Sequence, residues 1–162
     1  MVKYFAIVAT FFVIFVGCSK QKLSRSNSMP YLDDGKIALY PLANYTDTPR
    51  AGLRASNILE GVLLAKDYRV DSRLNSKTMQ MSLKSKIADA RERGDKYLIV
   101  GGVSEWRYKT GIDGEPAVSL FIKMLDSSTQ KTLWSATGSD NDWGNSSIGT
   151  VAQRLLNSMV SQ

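Results

Sequence analysis

Histidine is absent from the chain, and cysteine occurs once, as Cys18. These two gaps exclude a Ser-His-Asp triad, His-ligated zinc or iron, CxxC redox chemistry, zinc ribbons and any disulfide within one chain. The segment Gly101-Gly102 is not part of a phosphate-cradling GxGxxG or GxxxxGK[ST] pattern. SLKSK (82–86) holds a Ser-x-x-Lys spacing without a partner motif and reads as a surface helix. Paired acids occur at Asp33-Asp34, Asp113/Glu115 and Asp140/Asp142, in turn-rich settings where acids are normally solvated. Glycosidase chemistry needs two carboxylates held across a cleft. A calcium loop needs more ligands in a row than Asp113-Gly114-Glu115 supplies. No enzyme activity, cofactor or metal is expected.

What is present is an ordinary globular composition in 162 residues, 43% hydrophobic and 22% charged. That excludes disorder throughout and fits one core. The net charge is +6, a balance that can indicate nucleic acid or anionic lipid. The first eighteen residues, MVKYFAIVATFFVIFVGC, argue against nucleic acid. Lys3 is a short positive start. The run from Tyr4 to Val16 is apolar apart from Thr10, short of the roughly 20 residues a bilayer span needs and of signal-peptide length. It ends in Phe15-Val16-Gly17-Cys18, which resembles a bacterial lipobox, although Phe is less usual than Leu at its first position. A plain transmembrane anchor and a simple secretory signal are the alternatives. The lipoprotein reading gains from the lone cysteine's place at the end of the apolar run, followed at once by SKQKLSRSNS. Ser19, not Asp, follows the cysteine, as in lipoproteins sorted to the outer membrane.

The expected organisation is therefore a signal peptide at 1–17, a lipidated Cys18 with a flexible basic tether to residue 30, and one domain at 31–162. The tether holds Lys20, Lys22 and Arg25 and no acid; the domain has seventeen basic residues against fifteen acidic. The basic character is largely a leash beside a membrane, where each cation near anionic head groups is worth about 1 kcal/mol.

Within the domain, KIALY (36–40) reads as a buried strand, 51–66 as an amphipathic helix and Tyr68-Arg69-Val70 as a brief strand. Residues 76–93 read as one helix, with Ser76 as N-cap and Gly94 just past its end. YLIVGGVSEWRY (97–108), AVSLFIKML (117–125) and KTLWSAT (131–137) form an antiparallel meander, 138–147 a polar loop, and 148–160 a final amphipathic helix. The order β-α-β-α-β-β-β-α implies an α+β fold, a two-layer α/β sandwich with a mixed sheet. Trp106 and Trp134 lie in strand patterns and read as core or subunit-contact residues. Trp143 lies in the polar NDWGN stretch and has two readings: an interfacial anchor dipping into the membrane, or a lid folded back on the core. Bases concentrate over 66–96 and acids in the later turns. That is either ordinary solvated surface or a dipole that a ring would present collectively.

A small lipoprotein with this element order resembles the periplasmic lipoproteins related to the TolB N-terminal domain, among them the curli secretion lipoprotein CsgG and the penicillin-binding-protein activator LpoB. It is most similar to the PelC family of outer-membrane lipoproteins in Pel exopolysaccharide export. The residues that carry the resemblance are Cys18, KIALYPLANYTD (36–47), the segment 97–106, DGEPAVSLFIKMLD (113–126) and LWSATGSDNDWGN (133–145). The resemblance implies a homo-oligomeric, dodecameric ring beneath the outer membrane and a β-barrel partner with tetratricopeptide repeats, PelB. It implies an electronegative funnel for a cationic exopolysaccharide, and membrane contact by the residue matching Trp143. The acids placed to guide the polymer would be Asp113, Glu115, Asp140 and Asp142. A regulatory lipoprotein docking on a cell-wall synthase, or a component of another secretion assembly, is the alternative.

Overall fold

The computed structural model describes residues 21–32, 34–109, 114–142 and 146–161. Its strands are β1 (Lys22–Arg25), β2 (Ile37–Leu39), β3 (Ala43–Asn44), β4 (Val70–Ser72), β5 (Tyr97–Tyr108), β6 (Pro116–Asp126) and β7 (Thr132–Asn141). The helices are α1 (Ala51–Leu64), α2 (Ser76–Met79), α3 (Leu83–Glu92) and α4 (Ile148–Met159). One mixed seven-stranded sheet runs β1-β7-β6-β5-β2-β4, with β3 pairing with β5 beyond the end of β2. The β1, β7, β6 and β5 pairings are antiparallel; β2 pairs with β4 and β5, and β3 with β5, in parallel. This is the α+β sandwich that the order of elements predicts.

Strand alternation decides what each sheet face meets. On β6, Val118, Leu120, Ile122 and Met124 are buried and join Ala55, Leu59 and Leu63 of α1 and Val151, Leu155 and Met159 of α4 in the main core. Each fully buried aliphatic there contributes about 1.5–3 kcal/mol. Among the described residues, the opposite face is covered over β2, β5 and the end of β6, where α3 places Ile87 and Ala90 against Ala38, Tyr40, Leu98 and Leu125. The rest of that face is open.

Local chemistry sets the joints. Ser147 caps α4 by accepting a hydrogen bond from Thr150 N at 3.1 Å. Gly52 lets α1 start against the β2–β3 connection, because a Cβ there would run into the Leu42 carbonyl. Ser56 fixes the same contact, donating to Gly52 O at 2.7 Å and accepting from Leu42 N at 2.9 Å.

Four expectations are corrected. The helix expected over 76–93 is two helices: Asn75, not Ser76, caps α2 in a reciprocal pair with Thr78, and Ser82 caps a fresh start at α3. Two good caps within one short stretch make two short helices better satisfied than one. The strand expected at 68–70 lies at Val70–Ser72, while Tyr68 turns inward and its hydroxyl donates to Pro30 O at 3.2 Å. β7 continues through Gly138 to Asn141, so the polar loop begins only after the strand that carries Asp140. Lys22–Arg25, expected within a flexible tether, form a strand that pairs with Ala136–Ser139. Met29 is 1% exposed, and Asn27 O accepts from the Trp134 indole at 2.9 Å. The polar composition hid this because the free edge of β7 supplies the backbone partners and only Leu23 and Met29 need to be buried.

Candidate functional site

Of the residues singled out in the sequence, Cys18, Asp113 and Trp143 lie outside the described residues. The other three acids come together at one end of the sheet, where β5 and β6 turn and β7 ends. Asp142 N donates to Pro116 O at 3.3 Å, next to Glu115. These acids do not stand free. Asp140 is 2% exposed and accepts from Arg154 Nε at 2.7 Å. Asp142 accepts from Arg154 Nη1 at 3.0 Å and from Ser146 Oγ at 2.6 Å. Glu115 lies 3.7 Å from Lys109 Nζ. Asp140, expected among the polymer-guiding acids, is a buried counter-ion that ties α4 to β7. Asp142 shares the single charge of Arg154 with Asp140, and Glu115 has only the partly exposed Lys109 beside it, so among the described residues the three acids outnumber their two basic partners by one.

A second charged cluster has no counterpart in the sequence reading. Arg73, beyond β4, is 6% exposed and forms ion pairs with Asp71 at 2.6 Å and with Asp89 and Asp95. Its Nη1 also donates to the Tyr40 hydroxyl at 2.9 Å, and that hydroxyl lies 2.7 Å from Asp89 Oδ2. Burial, then the hydrogen bond to Asp89, pushes the Tyr40 hydroxyl above the ordinary phenol range. Burial, with the Asp71 charge, pushes the Asp95 carboxyl up. Burial opposes ionisation of Asp89 too, but hydrogen bonds from Tyr40, Arg93 and Arg73 together with the Arg73 charge hold it below its usual value. The cluster joins β2, β4, α3 and the start of β5. A lone Arg in VDSRLNS carries no periodic signal of burial, so sequence gives no pointer to it.

The open sheet face is the third feature. Tyr45 is 67% exposed and stacks on Phe121, with ring centroids 6.5 Å apart and planes at 18°. It lies over Gly102, where a Cβ would collide with its ring. Beside them, a groove of about 500 Å³ runs between α3 and the sheet, lined by Tyr45, Leu83, Ile87, Phe121, Lys86 and Lys123. Burial lowers the pKa of Lys86, whose Nζ donates to Pro41 O at 3.3 Å. Lys123 is exposed. Ser119, Ser135 and Thr137 continue this face. Its signal was legible in β6, where Ser119, Phe121 and Lys123 alternate with the core residues.

Among the described residues no group of three or more His, Cys, Asp or Glu is placed to hold a metal ion, and no helix is long and apolar enough to cross a membrane.

No protein-family model matches the chain, and no curated protein matches it. Solved structures do. A PelC dodecamer from Paraburkholderia phytofirmans is 32% identical, with a TM-score of 0.77, over 88% of this chain and 96% of that one. A single-substitution form of the same dodecamer, in another crystal form, superposes with a TM-score of 0.74 at 32% identity over 86% and 96%. A lipoprotein from Neisseria meningitidis shares the fold at 20% identity and a TM-score of 0.58, over 78% of this chain and 96% of that one. Identity of this level over nearly the full length of the solved chain decides membership: the chain belongs to the PelC family.

Proposed function

We propose that this chain is a non-enzymatic lipoprotein of the bacterial outer membrane, facing the periplasm and held there by acyl chains on Cys18. In this reading it assembles as a homo-oligomeric ring, a dodecamer as in the Paraburkholderia relative, that guides a cationic exopolysaccharide of the Pel type to the β-barrel exporter PelB. The observation that carries it is the match to a dodecameric PelC over 96% of that chain. The chemistry agrees: guiding a charged polymer takes a diffuse field and an assembled passage, and no tight catalytic site.

The register of β1 supports the anchoring. Lys22 faces Ser139, and the strands are antiparallel, so the chain before β1 leads to the sheet end where β7 finishes and the β5–β6 connection turns. Cys18 is four residues before Lys22, a reach of at most about 14 Å. That end, which β7 leaves for the Trp143 segment, is the membrane-proximal one. Asp140 is buried against Arg154, which also serves Asp142, and Glu115 has the partly exposed Lys109 beside it; the negative charge left over at this end is what the ring would present collectively. The rival role, docking on a cell-wall synthase across the periplasm, needs a long leash. A leash this short favours the export ring.

The test is replacement of the chromosomal copy by Cys18→Ser. The protein should leave the membrane fraction and secretion of cationic exopolysaccharide should fall to the level of a deletion strain. Unchanged secretion with the protein fully soluble would overturn the reading.

A further inference from the structure

A closed ring of identical subunits that is not built from two-fold pairs uses heterologous contacts, in which two different surfaces of each subunit meet. The described surface offers two that match. One is the open sheet face: the exposed Tyr45 and Leu83 (51% exposed) and the half-buried Phe121 around a groove edged by Lys86 and Lys123. The other is the outer side of α1. Leu64 is 52% exposed at a helical position turned away from Ala55, Leu59 and Leu63, which enter the core. Glu60 lies one turn before it on the same side, and Asp67 follows in the turn that ends the helix. Neither Glu60 nor Asp67 forms an ion pair among the described residues. The main core is on the α1 side of the sheet and the groove on the other, so the two surfaces lie on opposite sides of the subunit.

We propose that, in the ring read above, the open sheet face of one copy receives α1 of the next, with Leu64 seated beside Tyr45 and Phe121 and Glu60 facing Lys123. The occupant is a second copy on grounds of charge and shape. An apolar groove flanked by lysines meets an exposed leucine flanked by acids, and the aromatic centre with a polar rim is the usual anatomy of a protein interface. Two open faces are poor partners for each other, because each brings Lys86 and Lys123 to the contact and like charges across an interface disfavour it. The contact is front to back, so it propagates until the ring closes. Gly102 belongs to the same device: with no side chain of its own, it lets the Tyr45 ring lie flat enough to stack on Phe121.

The test uses the full chain extracted from membranes in mild detergent, with mass read by light scattering after size exclusion and folding checked by circular dichroism. Lys123→Glu with Tyr45→Ala disables the open face; Leu64→Asp disables the helix side. All three positions are exposed. The unaltered chain should give one large discrete mass, and each variant alone the mass of a monomer. Mixed, the two variants should form a 1:1 dimer and nothing larger, since each keeps only one competent surface. The charge swap Lys123→Glu with Glu60→Lys should recover the large assembly that Lys123→Glu alone loses. Variants that still form the ring, or a mixture that stays monomeric, would overturn this interface and leave the ring standing. A monomeric unaltered chain would overturn the ring reading itself.

Discussion

Replacing Arg73 by methionine should be among the most damaging single changes in the chain. The guanidinium is buried and answers three carboxylates whose side-chain exposures differ: 35% for Asp71, 25% for Asp89 and 1% for Asp95. Without Arg73, Asp71 and Asp89 can turn towards water, but Asp95 cannot. Removing one partner of a buried ion pair costs about 3–5 kcal/mol, because it leaves a charge without compensation. Against a total stability of about 5–15 kcal/mol for a domain, that is a large share. Asp95 can escape by taking a proton, and burial already pushes its carboxyl up. A carboxyl whose pKa is raised in the folded state binds its proton more tightly there, so protonation favours folding at low pH and the benefit is lost as pH rises through the folded value. Loss of Arg73 removes the charge that holds this shift in check. The deficit of Arg73→Met should therefore be largest at neutral pH and shrink as the pH falls, and adding Asp95→Asn should recover more than half of it. Urea unfolding followed by the fluorescence of the buried Trp106 and Trp134 measures both. A loss below about 1 kcal/mol, or one that does not change with pH, would refute the view of Arg73 as the main compensation for a buried acid, ahead of the Lys36 charge.

Trp134→Phe removes the indole N–H that Asn27 O accepts, about 1 kcal/mol, and leaves a gap in the core that adds a further cost of about 1 kcal/mol or more; hydrogen exchange at Lys22–Arg25 should quicken before exchange elsewhere in the sheet. Asp126 accepts hydrogen bonds from Ser128 Oγ at 2.6 Å and Thr129 N at 2.7 Å, and these hold its carboxyl down at about 2. A depressed carboxyl stabilises above its unfolded value, so the 126–130 turn should loosen as pH falls from about 4 towards 2; a carbon-detected titration of Asp126 with a midpoint near 4 would refute this. Gly102→Ala should leave the melting temperature within a few degrees, since the exposed Tyr45 ring can swing aside, yet shift the assembly towards monomer in light scattering.

The strands that build the core were readable because their apolar residues come as runs or strict alternations, as in KIALY and AVSLFIKML. α4 was readable because Val151, Leu155 and Met159 repeat at helical spacing. The features that escaped have their causes far away in sequence. β1 is a strand only because β7, more than a hundred residues later, offers an edge. Arg73 is a hub only because α3 and the start of β5 bring Asp89 and Asp95 to it. Acids in DGEP and GSDND looked like solvated turn residues, but Asp140 falls on the inward side of a strand that runs further than its Gly and Ser content implied. Arg154, the partner that makes this tolerable, sits fourteen residues on, where spacing alone does not link the two. The open face was half legible: β6 showed which residues leave the core, while the aromatic pair that marks it needed β3 to be placed beside β5.

The pairing of β1 with β7 also fixes an order of events. A chain that emerges from its N-terminus holds Lys22–Arg25 long before Ala136–Ser139 exist for it to pair with. This ladder has among the longest sequence separations in the fold and is a late closure. Until then Lys22–Arg25 have no edge strand to pair with. Folding then reels that segment in and seals the exposed edge of β7, which would otherwise invite pairing with another chain. The same few residues are a loose end while the chain is being made and afterwards the latch that closes the sheet; in the lipoprotein reading proposed above, that latch also draws the finished domain close to its anchor.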